Sequence, residues 1–203
     1  MKDIDVEEVV NYCAQDFFVD KFEFQQVYEE ITTLGYWLKG FAPNNILEIG
    51  SKGSTFFIFS KFSTGKKIAV DIEDNRSKMQ LMMYGEDFKF FVGDSHFWRT
   101  KELVAEECDS YDFIFIDGDH SYDGVKKDFE MYKSLLSPRG YIVFHDIDPN
   151  HIFKGDAGGG DVWKFWEDLD YGSKTMLVTQ KSSGKITCFG KPQGFGGIGI
   201  WRP

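Results

Sequence analysis

Residues 111–146 read YDFIFIDGDHSYDGVKKDFEMYKSLLSPRGYIVFHD, and this stretch decides the fold. It opens on an apolar run, Tyr111 to Asp117, and closes on another, Tyr141 to His145. Between them Val125, Phe129, Tyr132, Leu135 and Leu136 form one stripe at helical spacing, ended by Pro138-Arg139-Gly140. A strand, a crossover helix and a second strand make a βαβ unit, whose strands run parallel. Runs as continuously apolar as these suit strands buried on both faces.

Working outward, the same signal recurs at Ile46–Ile49 (ILEI), Lys67–Asp71 (KIAVD) and Phe88–Val92 (FKFFV). Residues 54–62 (STFFIFSKF) have the aromatic content of a strand, but a parallel neighbour needs a crossover there, so a helix is expected. Val162, Phe165, Trp166 and Leu169 predict a further helix. Met176–Thr179 and Ile198–Trp201 predict two late strands. Ahead of all these, Val6, Val9, Val10, Cys13 and Phe17 share one helical face, as do Phe24, Val27, Ile31, Leu34 and Leu38. Gly40 and Pro43 stop the second helix. The expectation is an α/β fold: a Rossmann-like, doubly wound, mostly parallel seven-stranded sheet with two N-terminal helices. It forms a single domain over 1–203, with a helical cap at 1–42 and the core at 43–203.

Composition narrows the function. The chain has 203 residues, 23 Lys+Arg against 33 Asp+Glu, and a net charge of −10. That balance argues against nucleic acid as a partner, since binding it needs a cationic face. Apolar residues at 42 % and aromatics at 17 % supply a large core and exclude disorder as the main state. The three cysteines, Cys13, Cys108 and Cys188, are far apart with no CxxC, which predicts neither a disulfide framework nor a zinc cluster. The acidic N-terminus does not read as a signal peptide, and no apolar run approaches the ~20 residues of a membrane span. The expected setting is cytoplasmic, with no membrane partner.

In an open parallel sheet, ligands bind beyond the carboxyl ends of the strands. Here those ends read Glu48-Ile49-Gly50-Ser51-Lys52-Gly53, Asp71, Gly93-Asp94-Ser95, Asp117-Gly118-Asp119-His120 and His145-Asp146. Each alone is ordinary turn chemistry. Together they describe an acidic crevice with two histidines. The glycine spacing is neither GxGxxG nor a P-loop, so Gly50 and Gly53 serve equally well a tight turn or a ligand loop. Asp71 is placed to accept hydrogen bonds from ribose hydroxyls, or to cap a turn.

These motifs resemble the class I S-adenosylmethionine-dependent methyltransferases: ILEIG-x-x-G, AVD, VGDS, DFIFIDGDHSYDGVKKDFE and LLSPRGYIVFHD. Within that class they look like methyltransferase family 24, with sugar O-methyltransferases and cephalosporin-hydroxylase-like proteins as relatives. The resemblance runs from Gln25 to the C-terminus. It implies S-adenosylmethionine as cofactor, with Glu48, Gly50, Ser51 and Gly53 around its methionine end. It implies Asp71 at the ribose, Asp94 and Ser95 at the adenine, and Asp117 near the sulfonium. It also implies a divalent metal such as Mg²⁺ on Asp117 and Asp146, with His120 as general base. Two positions depart from the relatives: His145 stands where they commonly carry an acidic residue, and Ile147 where catechol-type enzymes carry Asn.

Methyl transfer from sulfonium to oxygen is an in-line displacement, in which alignment carries most of the catalysis. A histidine titrating near neutrality suits the removal of the hydroxyl proton. His120 is the first choice for this base and His145 the second. The expected partner is a small-molecule hydroxyl acceptor, for instance a sugar or glycan unit. The N-terminal helices either cover the cofactor crevice or form a homodimer contact. The glycine-rich stretch 148–161 is expected to be a loop, either a lid or a plain connection. Trp163, Trp166, Phe97, Trp98 and the Met79, Met82, Met83 cluster are expected to pack in the interior, and His96 and His151 to lie on the surface. Competing readings are a nicotinamide-dependent oxidoreductase of similar architecture, and a non-catalytic cofactor-binding or interaction module retaining the fold.

Overall fold

A computed structural model describes residues 4–14, 26–83, 85, 87–149, 160–178 and 196–203. The elements are α1 (Val6–Ala14), α2 (Tyr28–Phe41), β1 (Ile46–Ile49), α3 (Ser54–Ser60), β2 (Lys67–Asp71), α4 (Arg76–Met82), β3 (Lys89–Val92), α5 (Trp98–Glu107), β4 (Tyr111–Ile116), α6 (Tyr122–Tyr132), β5 (Leu136–His145), α7 (Val162–Asp168), β6 (Ser173–Val178) and β7 (Ile198–Arg202). A 3₁₀ turn at Lys133–Leu135 joins α6 to β5.

The strands form one sheet in the order β3-β2-β1-β4-β5-β7-β6. The first five run parallel, while β7 pairs antiparallel with β5 and with β6. This is the expected Rossmann-like sheet, mostly parallel with an antiparallel end. The order reverses between β1 and β4, which opens the crevice at their carboxyl ends.

The two-residue period of the strands divides the core. Ile46, Phe113, Phe115 and Val143 join Val6, Val10, Ile31, Leu34, Leu38, Phe56 and Phe59 on one face. Leu47, Ile49, Ile114, Ile116, Ile142 and Phe144 join Val104, Val125, Phe129 and Phe165 on the other. The helix expected at 54–62 is present, and all seven residues of α3 are buried. Its aromatics fill the layer between sheet and N-terminal helices, where Phe59 meets Phe115 edge-on with ring centres 4.9 Å apart.

Two boundaries differ from the sequence reading. The α6 helix ends at Tyr132, and Leu136 already belongs to β5, pairing opposite Tyr111. Pro138 and Gly140 sit at the register irregularity on the β4–β5 ladder, where a proline is tolerated. β3 was expected to be buried on both faces, but Lys89 and Val92 are exposed. The strand order places β3 at the edge of the sheet, so among the described residues one of its sides has no neighbouring strand.

Candidate functional site

All five parallel strands deliver their polar tips to one edge of the sheet, and glycines bring the two central tips together. Gly50 has φ +82° and Gly53 φ +111°, conformations that strain any other residue. A Cβ on Gly50 would collide with the Asp117 backbone carbonyl. The Gly50 and Ser51 N–H groups both donate to the Val70 carbonyl, at 2.9 and 3.2 Å, and Asp117 N–H donates to Ile49 at 2.9 Å. Those loop N–H groups extend the ladder and so are not free to cradle a phosphate. Gly53 lies against the sulfurs of Met79 and Met82, which pack inside with Met83 as expected.

Glu48 is buried on the strand face turned toward the N-terminal helices. Its carboxyl accepts from the Ser51 hydroxyl at 3.0 Å and from the Thr55 hydroxyl. Burial pushes its pKa from the ordinary 4.5 up to about 8; these two hydrogen bonds pull against that, and the charges of Asp117 and Asp71 add to it. At neutral pH, burial therefore favours the protonated form of Glu48. The carboxyl of Asp71, also buried, accepts the Glu73 N–H at 2.7 Å. Burial raises its pKa as well. The next residue, Ile72, is 74 % exposed, so an apolar side chain stands in solvent beside a buried acid. Asp94 is exposed and accepts the His96 N–H at 2.8 Å, while the Ser95 carbonyl accepts from Tyr132 Oη at 3.0 Å.

At the tips of β4 and β5, two carboxylates and two imidazoles alternate in a closed ring. His120 Nε2 lies 3.2 Å from Asp117 Oδ1, and His120 Nδ1 lies 3.5 Å from Asp146 Oδ2. His145 Nδ1 lies 3.3 Å from Asp117 Oδ1 and 3.4 Å from Asp146 Oδ1. Asp146 is a non-glycine residue at φ +61°, a strained backbone held in place by its surroundings. Burial alone would depress the pKa of His120, but its hydrogen bond to Asp117 and the charges of Asp117 and Asp146 outweigh that and lift it to about 9. Burial also opposes the charged form of His145, yet Asp146 and Asp117 hold it well above the usual histidine range. In turn the imidazoles overcome the burial of Asp117 and lower its pKa. One ligand atom from each of Asp117, His120 and Asp146 falls within 4.8 Å of the others, close enough to share a metal ion. His120 thus joins the two carboxylates expected at that site.

Three further side chains at this site were missed by the sequence reading. Thr55 supports Glu48. Gln26 Nε2 donates to Asp117 Oδ2 at 2.9 Å. Glu30, fully buried on α2, faces His145 Nε2 at 3.2 Å and accepts the Gly197 N–H at 2.9 Å. A signal existed for Glu30: it lies within the apolar stripe of Val27, Ile31 and Leu34, where a carboxylate needs a partner.

Several expectations need correction. His96 is not a surface residue: its Nε2 lies 3.1 Å from the Gly124 carbonyl and 3.3 Å from Asp128 Oδ1. Burial lifts the pKa of Asp128 to about 6. Phe97 and Trp98 do not pack inside; they are 58 % and 61 % exposed, because α5 starts at the sheet edge. Trp166 is buried as expected, and Trp163 is half-buried. His151, Cys188 and most of the glycine-rich stretch 148–161 lie outside the described residues. At its far end, Asp161 N–H donates to the His120 carbonyl at 2.8 Å.

Comparison with known proteins fits this geometry. Residues 47–147 match the Methyltransf_24 family, described as a methyltransferase domain. A curated Sinorhizobium fredii protein is 26 % identical over 151 residues, covering 66 % of this chain and 16 % of that protein. A protein of Acanthamoeba polyphaga mimivirus is 51 % identical over 67 residues, covering 29 % of this chain and 30 % of that protein. The chain thus spans less than a third of the length of these relatives, and both are described as uncharacterized. Among solved structures, an O-methyltransferase from Bacillus cereus in complex with SAH superposes with TM-score 0.61 at 18 % identity, covering 98 % of this chain and 91 % of that one. The MycE methyltransferase of the mycinamycin biosynthetic pathway, in complex with Mg and SAH, gives TM-score 0.54 at 18 % identity, covering 82 % of this chain and 45 % of that one. Among the described residues, no helix is long and apolar enough to cross a membrane.

Proposed function

We propose that this chain, whose residues 47–147 match the Methyltransf_24 methyltransferase-domain family, transfers a methyl group from S-adenosylmethionine to a hydroxyl oxygen of a small molecule. One observation carries the reading: Glu48, Asp71 and Asp117 gather at neighbouring strand tips around the switch point, and the β4 tip also carries the Asp117–His120–Asp146 cluster. A cofactor that is a nucleoside at one end and an amino acid at the other matches that run of groups.

Each residue has a physical role in this reading. Asp71 accepts from the ribose hydroxyls, and exposed Ile72 offers an apolar face to the base, near Asp94 and Ser95. Glu48, neutral when alone, ionises against the α-ammonium of the methionine end beside Gly50, Ser51 and Gly53. His120, more exposed than His145, is the proton acceptor for the substrate hydroxyl in its deprotonated form. Asp117 and Asp146 lift its pKa to about 9, so turnover rises with pH toward that value. Both imidazoles have carboxylates at both ring nitrogens, but His145 is buried, whereas His120 is about a third exposed (35 %) and can lose a proton to solvent and so act as the base. Asp117 and Asp146 are hard oxygen donors from adjacent strand tips and fit a divalent cation such as Mg²⁺, with His120 at hand as a third donor. Bound there, the cation would polarise the acceptor hydroxyl and ease its deprotonation. The carboxylates repel anionic substrates, and the likeness of the DGDHSYDGVKKD segment to sugar O-methyltransferases favours a sugar or glycan hydroxyl.

Calorimetry with S-adenosylhomocysteine and with NAD(H) tests the cofactor, and turnover with a panel of sugars and phenols, with and without Mg²⁺, tests the reaction. Binding of NAD(H) without S-adenosylhomocysteine would reject the proposal. Cofactor binding with no transfer to any acceptor would favour the non-catalytic module.

A further inference from the structure

Helix α2 does more than pack against the sheet. Gln26, just before α2, and Glu30, on its first turn, are four residues apart and reach the tips of β4 and β5. Gln26 Nε2 holds Asp117 Oδ2 at 2.9 Å, and Glu30 Oε2 lies 3.2 Å from His145 Nε2. The other Glu30 oxygen takes the Gly197 N–H, so a single carboxylate ties α2, β5 and the start of β7 together. The third side of this junction is glycine as well, since a Cβ on Gly196 would collide with Asp146 Oδ1.

Both side chains are held where burial makes them expensive. Glu30 has no solvent exposure, and a carboxylate there is tolerated only with donors on both oxygens. Gln26 Oε1 is buried with no hydrogen-bond partner among the described residues. Flipping the amide would relieve nothing, because it would set that oxygen against the Asp117 carboxylate. The cost is borne where it fixes the orientation of Asp117.

We propose that Gln26 and Glu30 are positioning residues for the reaction: they clamp Asp117 and His145 from the N-terminal helix, so that His145 presents Nδ1–H to Asp117 and Asp146 while His120 remains the base. This rests on reading the strand tips as a methyl-transfer site. Neither residue touches the reacting atoms. Glu30 supplies two acceptors, and glutamine in its place supplies one acceptor and one donor. The isosteric Glu30→Gln must therefore either break the His145 or the Gly197 contact or strip His145 Nε2 of its proton and reverse that hydrogen bond.

The experiment uses the full chain, labelled with ¹⁵N and saturated with S-adenosylhomocysteine. In the parent protein the His145 Nε2–H proton resonates downfield and is protected from exchange; in Glu30→Gln it shifts or disappears. Affinity for S-adenosylhomocysteine and KM for S-adenosylmethionine stay within about threefold, while kcat falls about 10–100-fold, as for other lost supporting contacts. An unchanged His145 resonance, an unchanged kcat, or a loss of cofactor affinity in proportion to kcat would each overturn the clamp. Should Glu30→Gln fail to fold, Gln26→Ala leaves Glu30 in place and must lower kcat at constant affinity. If no acceptor is turned over at all, the methyl-transfer reading fails, while the His145 resonance still decides whether the clamp exists.

Discussion

Replacing Glu48 by Gln removes a buried acid while keeping its shape and its capacity to bond Ser51 and Thr55. In the folded parent the carboxyl titrates at about 8 rather than the ordinary 4.5. The folded state then binds the proton more tightly than the unfolded chain does. Stability is full below pH 4.5, falls as pH rises, and levels off above pH 8. One pH unit is worth about 1.4 kcal/mol, so between pH 5 and pH 8 the parent loses about 4 kcal/mol through this group alone. Other groups titrate in the same interval: Asp128, lifted to about 6, also costs stability on ionising, and His120, lifted to about 9, loses its contribution as pH rises through that value. Their effects are common to parent and variant. Urea unfolding of both proteins at pH 5, 6.5 and 8 isolates Glu48 as the change in the stability difference, which moves in favour of Glu48→Gln by about 4 kcal/mol. Parallel pH profiles would refute the buried, protonated Glu48 and with it the account of the methionine-end contact.

Three other outcomes follow from the same geometry. His120→Ala lowers kcat by about 10²–10⁴-fold with S-adenosylhomocysteine affinity nearly unchanged, read by single-turnover kinetics and calorimetry; equal losses would make His120 structural. Asp71→Ala weakens S-adenosylhomocysteine by about 10–100-fold, the worth of a charged hydrogen bond, and calorimetry at pH 7 reads it; unaltered affinity would leave Asp71 as a turn residue that only holds Glu73 N–H. Gly50→Ala strains a left-handed backbone and meets the Asp117 carbonyl, so thermal unfolding drops by roughly 4–8 °C for at least about 2 kcal/mol; a smaller drop would mean that the β1 and β4 tips can part.

The strands were legible because their signal is local. Ile114 and Ile116 face one layer and Phe113 and Phe115 the other, as a two-residue period requires. Asp71 and Asp117 could be placed at strand ends because each follows directly on an apolar run, and Asp146 because only His145 separates it from one. The αβ boundary at Leu135 and Leu136 was harder, since an apolar pair suits the end of a helix stripe as well as the start of a strand. The exposure of Val92, Phe97 and Trp98 follows from β3 being an edge strand, and the order of strands is written in no single segment.

From the sequence alone came the alternation of strand and helix, the acidic tips and the two histidines, because each depends on residues a few positions apart. Tertiary structure alone decided which of those groups meet. His145 and Glu30 are 115 positions apart along the chain and 3.2 Å apart in space. Nothing local selects that pair. It exists because α2 packs across the sheet and leaves a buried carboxylate over the β5 tip, where only a proton donor can satisfy it.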